Sequence, residues 1–386
     1  MPKPFVTVVG ATARAAAHSL ARAGYAARAA DLFADRDLTR FHTTARCPFE
    51  TYPDALPALT ESFPPGPVVY TGGLENHPRV VAELAARRPL WGNPPAVLEI
   101  VRDPFFPACA WPYTDRPVRC PAVLTTDAAP KDRGWVQKPR RGAGGDGVRP
   151  YHPAALPPAP ETLYLQQFVA GSPMSALFSA VGGEAFLLGV TEQLVGEPWL
   201  HAPPFRYAGN VTAPELPGTV ASALGAFGAA LVRAGGLVGL FGVDFVFDGR
   251  VAWPVEINPR YPASAEVIEH ATGRAVMTDH AAGCGAADGD RPVRRNPRYR
   301  VVGKAVYYAP HRITFPAAGP WDDWERPFDP WTLPAFADVP DPGGTVEPGW
   351  PVLTMLEGGS TPAAVRGRLQ SRAADLDRLF AEDHTP

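Results

Sequence analysis

The chain has 386 residues, enough for two or three domains around a substantial core. Its formal net charge of −3 gives no electrostatic case for nucleic acid or an anionic membrane surface, and no apolar run reaches the ~18 residues of a membrane span. Cys47, Cys109, Cys120 and Cys284 are widely spaced with no Cys-x-x-Cys pair, which argues against a disulfide scaffold and a zinc site and makes a reducing, cytoplasmic compartment the expectation.

Residues 5–9 (Phe-Val-Thr-Val-Val) read as a strand ending at Gly10, followed by a helix over Ala13–Ala23 and a strand near Tyr25–Ala30. This β-α-β opening lacks the second and third glycines of a dinucleotide loop. Asp31 stands where a ribose-binding acid would, so a dehydrogenase is kept as an outside reading. Val68-Val69-Tyr70 ends in Thr71-Gly72-Gly73, and a helix from about Pro78 to Arg88 follows. The pattern predicts a small doubly wound N-terminal domain, with Gly10, Gly72, Glu75 and Asn76 at the carboxyl edge of its strands, where ligands sit. Glu75 and Asn76 are acceptor contacts on one reading, and a solvated acid and a helix cap on the other.

Arg102-Asp103 is either a phosphate-binding guanidinium with its neighbour or a helix-end salt bridge. Trp135-Val136-Gln137-Lys138-Pro139 then reads as a short strand running into Arg140-Arg141-Gly142-Ala143-Gly144-Gly145-Asp146-Gly147. Such glycines let backbone N–H groups approach a phosphate, and Lys138, Arg140 and Arg141 add charge. No Gly-Lys-Ser/Thr follows, so this is not a Walker loop, and taken alone it reads equally as a solvated hairpin tip. The proline-dense stretches at 63–67 and 156–160 read as connectors. Leu163–Gly171 is a strand-like run, and Gly182-Gly183 between two apolar runs predicts a hairpin. Glu192 and Gln193 end the next strand, either lining an acceptor pocket or forming an ordinary polar strand end. Arg206–Asn210 reads as a loop over the site, and Thr219–Ala234 as a core helix.

The densest signal is Val243–Phe247, the turn-like Asp248-Gly249, and Trp253-Pro254-Val255-Glu256-Ile257-Asn258-Pro259-Arg260. On a strand, Glu256 and Asn258 share a face, and an Asp-Gly hairpin carries Asp244 toward them. Three hard oxygen donors at that spacing suit Mg²⁺ carrying substrate phosphates; the alternative is an edge hairpin with scattered polar residues. Ser264 is expected to cap a helix through Glu269, with Glu266 in its first turn. His18 and His77 read as helix-cap or interface residues. Residues 286–386 hold one strand over Arg300–Tyr308 and a helix from about Pro362 to Ala381. Lys304 on that strand reads as an edge charge rather than a site residue.

The order of Lys138 and its glycine loop, the connector Gln166-Gln167-Phe168-Val169, then Asp244, Glu256 and Asn258 followed by Pro259-Arg260, resembles the ATP-grasp superfamily. Within it the chain resembles the predicted ATP-dependent carboligases related to biotin carboxylase, on Gly72-Gly73-Leu74-Glu75-Asn76-His77-Pro78, Val101-Arg102-Asp103-Pro104 and Thr191-Glu192-Gln193 among others, over residues about 4–275. The resemblance implies an α/β (α+β) ATP-grasp fold with an N-terminal doubly wound pre-ATP-grasp domain. It implies a pre-ATP-grasp domain at 1–100, a small subdomain at 101–172, a core with the metal site at 173–285 and a C-terminal extension at 286–386. It further implies ATP bound by Arg102, Lys138, Arg141, Gly142, Gly144, Gly145, Gly147 and the connector residues Gln166, Gln167, Phe168 and Val169. Backbone groups of Gln167 and Val169 would receive the adenine, and Gln166 stands where many relatives have a glutamate.

One or two Mg²⁺ ions, with Mn²⁺ as a substitute, would sit on Asp244, Glu256 and Asn258. Arg260 and Lys138 would act on the transferred phosphoryl group, and Gly10, Glu75, Asn76 and Glu192 would face the substrate. The implied reaction joins a small-molecule carboxylate to an amine through an acyl phosphate, releasing ADP and phosphate. By analogy the acceptor is an amino acid such as glutamate added to a cofactor precursor, and the assembly a homodimer. The alternatives are a bicarbonate-using carboxylase, which would need a separate biotin carrier because no Met-Lys-Met occurs here, and a non-catalytic nucleotide-binding regulatory protein.

Overall fold

The computed structural model describes the chain apart from residues 1–3, 129, 131–133, 154–158, 213–214, 287–292, 323–326 and 383–386. Strands β1 (Phe5–Val9), β2 (Ala26–Asp31), β3 (Thr43–Arg46) and β4 (Val68–Tyr70) form a parallel sheet in the order β3-β2-β1-β4. The strand order reverses between β1 and β4, which makes their carboxyl ends the switch point of this doubly wound sheet. Gly10 is required there: a Cβ on it would lie 1.9 Å from Thr71 Oγ1. Asp31, at the end of β2, is fully buried and accepts the amides of Ala13 and Ala34, both at 2.8 Å. Its carboxylate is committed to the turn, which removes the ribose-acid reading.

A second, antiparallel sheet is small. Strands β5 (Val123–Thr125), β6 (Trp135–Pro139), β7 (Arg149–Pro150) and β8 (Leu163–Gln167) run in the order β5-β8-β6-β7. The third sheet is the body of the molecule. It holds β9 (Ser172–Val181), β10 (Glu184–Val195), β11 (Tyr207–Thr212), β12 (Gly239–Phe247), β13 (Ala252–Asn258) and β14 (Val301–Tyr308). After a two-stranded ribbon of β15 (Ile313–Thr314) with β17 (Thr345–Val346), it is completed by β16 (Phe336–Ala337) and β18 (Pro351–Gly359). Its order is β13-β12-β9-β10-β11-β14-β18-β16. The tip joining β9 to β10 is the Gly182-Gly183 pair, both at positive φ (60° and 84°), as a tight hairpin requires.

The helix Gly218–Gly235 packs on this sheet through Val220, Leu224, Phe227 and Leu231, over the stacked rings of Phe178 and Phe241, 5.0 Å apart. Each such buried side chain contributes about 2 kcal/mol of hydrophobic stabilisation. By length and composition this helix is apolar enough to cross a membrane; here its apolar side covers β10. The helix Pro362–Glu382 covers β14 and β18 with Val365, Leu369, Leu376 and Phe380.

The structure revises three sequence expectations. Arg206–Asn210 is not a loop over the site, because Tyr207–Thr212 is a central strand between β10 and β14. Lys304 is not an edge charge, because β14 pairs on both sides; its ammonium is buried and donates to Glu266 Oε2 at 3.2 Å. Ser264 does not cap the helix Ser264–Thr272. It is the first helical residue, and its hydroxyl lies 3.4 Å from that of Ser175. His77 does stand at the N-cap of the helix Pro78–Arg87, without a side-chain cap bond. Residues 63–67 form a connector before β4, whereas most of the stretch at 156–160 lies outside the described residues.

Candidate active site

The β12–β13 hairpin sets Asp244 directly opposite Glu256 and Gly242 opposite Asn258. Cross-strand partners and i, i+2 residues share a face, so Asp244, Glu256 and Asn258 project into one cleft. That cleft lies between the small sheet and the body and encloses about 640 Å³. Burial and the nearby charge of Glu256 push the Asp244 carboxyl up to about 6, against hydrogen bonds from Ser175 and Gln193. Glu256 is only partly buried, and against its desolvation Arg102 and Lys138 hold its carboxyl below the usual range. Asn258 Nδ2 donates to Asp244 Oδ2 at 3.0 Å. Among the described residues no cluster of three or more His, Cys, Asp or Glu forms, so the metal case rests on two carboxylates and a carboxamide. Two like charges held together in a partly buried cleft fit a divalent cation, and hard oxygen donors fit Mg²⁺ or Mn²⁺.

Lys138, at the end of β6, is directed across the cleft: its ammonium donates to Gln166 Oε1 at 3.2 Å and to the Val255 carbonyl at 3.0 Å. Burial opposes its charge, but the Tyr164 side chain and Glu256 outweigh this and raise its pKa. The glycine loop follows. Gly144, Gly145 and Gly147 have φ of 60°, 79° and 71°, a region L side chains rarely adopt. Gly144 accepts the Tyr207 amide at 3.0 Å, and Asp146 accepts Arg206 at 2.6 Å, so the loop is fastened to the start of β11. Gly142, Gly144 and Gly145 line the cleft; Arg141 does not, and lines a neighbouring concavity instead. Gln166, Gln167, Phe168 and Val169 line the far end beside Val136, Tyr164 and Val255. Gln166 Nε2 donates to the Val255 carbonyl at 3.3 Å. The Gln167 amide is already given to the Ala122 carbonyl at 2.8 Å, so it is not a free donor for a base.

Arg260 is the hinge between the cleft and the N-terminal sheet. It donates to Asn258 Oδ1 at 2.9 Å and, through Nε, to Glu75 Oε1 at 3.0 Å. Gly72 packs on this guanidinium, with room for a Cβ only 3.4 Å from Nη2. Glu75 is buried rather than solvated, and Asn76 is not a helix cap: its Oδ1 accepts Arg102 at 3.0 Å and its Nδ2 donates to the Gly142 carbonyl at 3.2 Å. Arg102 also donates to Glu256 Oε1 at 2.9 Å and to the Gly142 carbonyl at 3.0 Å. Burial works against its charge, but Glu256 and Glu75 keep its pKa raised.

Glu192 is not brought to the cleft. Neighbouring strand residues face opposite sides, so Gln193 lines the cleft while Glu192 pairs with Arg366 at 2.7 Å on the other face. Gly10 supports the fold at the switch point rather than the cleft lining. Ser175, Tyr207, Asn210 and Ser264 line the cleft although no motif marks them as site residues. Ser175 alone carries a signal, as a polar residue inside an apolar strand, in register with Asp244.

Residues 113–264 match a family model described as ATP-grasp domain. The chain carries an ATP-grasp domain. Both the small sheet and the β12–β13 hairpin lie within the matched ATP-grasp residues. Solved structures extend the likeness of fold over nearly the whole chain. The L-amino acid ligase from Bacillus licheniformis superposes with a TM-score of 0.67 at 14% identity, covering 97% of this chain and 98% of that one. N5-carboxyaminoimidazole ribonucleotide synthetase from Thermus thermophilus gives 0.65 at 17% identity, covering 95% and 97%. Biotin carboxylase from Campylobacter jejuni, in complex with an ATP analogue, gives 0.64 at 14% identity, covering 94% and 90%. No curated protein sequence matches the chain.

Proposed function

We propose that the chain is an ATP- and Mg²⁺-dependent ligase that joins a carboxylate to an amine through an acyl phosphate, releasing ADP and phosphate. The observation that carries this reading is the meeting of Asp244, Glu256, Asn258 and Arg260 at one end of a cleft whose wall is Lys138 and the glycine loop. Phosphoryl transfer needs positioning and charge neutralisation more than covalent help from protein groups. Asp244, Glu256 and Asn258 would hold the metal, which would supply positive charge to neutralise the phosphates. Lys138 and the loop from Gly142 to Gly147 bind the triphosphate and exclude water, and the apolar end near Val136, Phe168 and Val255 receives the base. Arg260 faces the transferred group and stabilises its oxygens as a substrate carboxylate attacks the γ-phosphorus and the bond from that phosphorus to the bridging oxygen breaks, leaving its electron pair on ADP. The neutral amine nitrogen then attacks the acyl carbon, the C–O bond to phosphate breaks with its electron pair on the departing phosphate, and the proton lost from nitrogen goes to that phosphate.

The test is calorimetry of a non-hydrolysable ATP analogue with and without Mg²⁺, on wild type and Glu256→Ala, followed by hydroxamate formation from candidate carboxylates with hydroxylamine. Mg²⁺-dependent binding lost in Glu256→Ala, and hydroxamate formed with a carboxylate, are the expected results. Unchanged Mg²⁺ dependence in Glu256→Ala would sink the metal assignment. The rival acceptor is bicarbonate, the anion bound in the solved biotin carboxylase domain of the Hydrogenobacter thermophilus 2-oxoglutarate carboxylase, which has a similar fold. ADP release with bicarbonate alone selects that reading.

A further inference from the structure

The connection between β10 and β11, residues 196–206, is part of the cleft wall, which Gly196, Pro204 and Phe205 line. Its last residues also back the glycine loop. The Phe205 carbonyl passes so close to Gly145 that a Cβ there would lie 1.9 Å from the oxygen, and Arg206 donates to Asp146 at 2.6 Å. The next residue, Tyr207, gives its amide to the Gly144 carbonyl at 3.0 Å. The connection is itself strained. His201 and Phe205 have φ of 55° and 64°, the left-handed region that L side chains rarely adopt. Such a backbone persists only where its surroundings over-determine it.

Those surroundings are the helix Pro362–Glu382. Arg366 donates to Glu197 Oε1 at 3.0 Å and to Glu192 Oε1 at 2.7 Å, tying the start of the connection to β10. Glu197 Oε2 accepts the Trp199 indole N–H at 2.7 Å, and Leu200 is buried in the cluster that holds Val365, Leu369 and Phe380 of the helix. Further along the helix, Asp377 Oδ1 accepts His201 Nε2 at 2.7 Å and the Tyr307 hydroxyl at 2.6 Å. One carboxylate oxygen therefore pins the left-handed His201 to the helix and, through Tyr307, to β14.

We propose that the C-terminal helix positions the glycine loop over the nucleotide phosphates, with Asp377 and Arg366 as positioning residues that act through the 196–206 connection. The phosphates in this statement rest on the nucleotide reading above. Neither residue lines the cleft. When Asp377 releases His201, the strained backbone relaxes, the Phe205 carbonyl and Arg206 move, and the loop loses its support at Gly145 and Asp146.

The test compares the full chain with Asp377→Leu, which removes the acceptor, and Asp377→Asn, which keeps a carbonyl oxygen for His201 and Tyr307. Hydrogen exchange by mass spectrometry reads the loop without any ligand, and calorimetry of a non-hydrolysable ATP analogue with Mg²⁺ reads its use. Asp377→Leu is expected to speed exchange over residues 142–148 and at Tyr207, to leave the β12–β13 hairpin unchanged, and to weaken the analogue about fivefold. Asp377→Asn is expected to stay near wild type in both. Exchange that does not rise in the loop, or rises equally in β12–β13, overturns the proposal, as does a loosened loop with unchanged analogue affinity. A loop loosened by Asp377→Leu in a chain whose wild type binds no analogue keeps the coupling of helix to loop and removes the nucleotide reading.

Discussion

Arg102 serves four acceptors at once: Glu256, the Ile257 carbonyl, Asn76 and the Gly142 carbonyl. In this arrangement a guanidinium occupies an oxygen of the metal-ligand set and also fastens the glycine loop. A cation arriving at Glu256 therefore competes with Arg102, and a phosphate arriving under the loop offers Arg102 a replacement partner. Arg102→Ala should act in opposite directions on the two ligands. Mg²⁺ or Mn²⁺ alone should bind more tightly, because Glu256 loses its competitor. The ATP analogue should bind at least about tenfold more weakly, because one charged donor and the loop's fastening are gone. Calorimetry of each ligand separately checks this, and a parallel change in both affinities would contradict it.

At the scale of elements, the glycine loop and the β12–β13 hairpin were both readable, for local reasons. The hairpin turn is announced by Asp248-Gly249, and its ligands fall at i and i+2. What stayed hidden depends on partners far away in sequence. β11 looked like a loop because Gly209 and Asn210 carry turn chemistry. Gly209 is a glycine because β14 passes so closely that a Cβ there would lie 2.1 Å from the Lys304 carbonyl oxygen. Lys304 looked like an edge charge because β18, its second neighbour, begins at Pro351. The loop itself offers a sharp comparison. Gly144 and Gly145 are both left-handed, so alanine at either costs about 1 kcal/mol of backbone strain. A Cβ at 144 meets nothing within 4 Å, whereas at 145 it would fall 1.9 Å from the Phe205 carbonyl oxygen. Gly145→Ala should therefore detach the loop from the start of β11 and weaken ATP-analogue binding clearly more than Gly144→Ala does. Thermal melts and analogue titrations of the two variants check it; equal effects would mean the Phe205 contact does not hold the loop.

For the molecule as a whole, the junction of the N-terminal sheet with the body is made by buried polar groups whose partners no local pattern reveals. Arg14 donates to Glu266 and, at 2.8 Å, to Asp338, so one guanidinium ties the first helix to the helix at Ser264 and to the C-terminal segment. The doubly wound sheet was legible, but this clamp was not, because its partners are more than 250 residues from Arg14. His280 closes the same junction from the other side. Its Nδ1 accepts the Leu240 amide at 2.9 Å, and its Nε2 lies 3.1 Å from the Trp91 carbonyl. Those two contacts require a neutral ring with the proton on Nε2. Burial accordingly lowers the His280 pKa from 6.5 to about 4. The sign follows: in the unfolded chain the ring takes up a proton below 6.5, while in the folded chain it resists until about 4. Its contribution to stability is complete above 6.5 and is lost as the pH falls toward 4, by ~1.4 kcal/mol per pH unit within that window. Asp31, raised to about 6 by burial, acts oppositely over part of the range, so total stability does not isolate the histidine. The stability difference between wild type and His280→Gln does. By urea denaturation it should be largest at neutral pH and should narrow steadily as the pH falls below 6.5, since glutamine has no proton to gain. A difference that stays constant across the window would mean that His280 is not held neutral between Leu240 and Trp91.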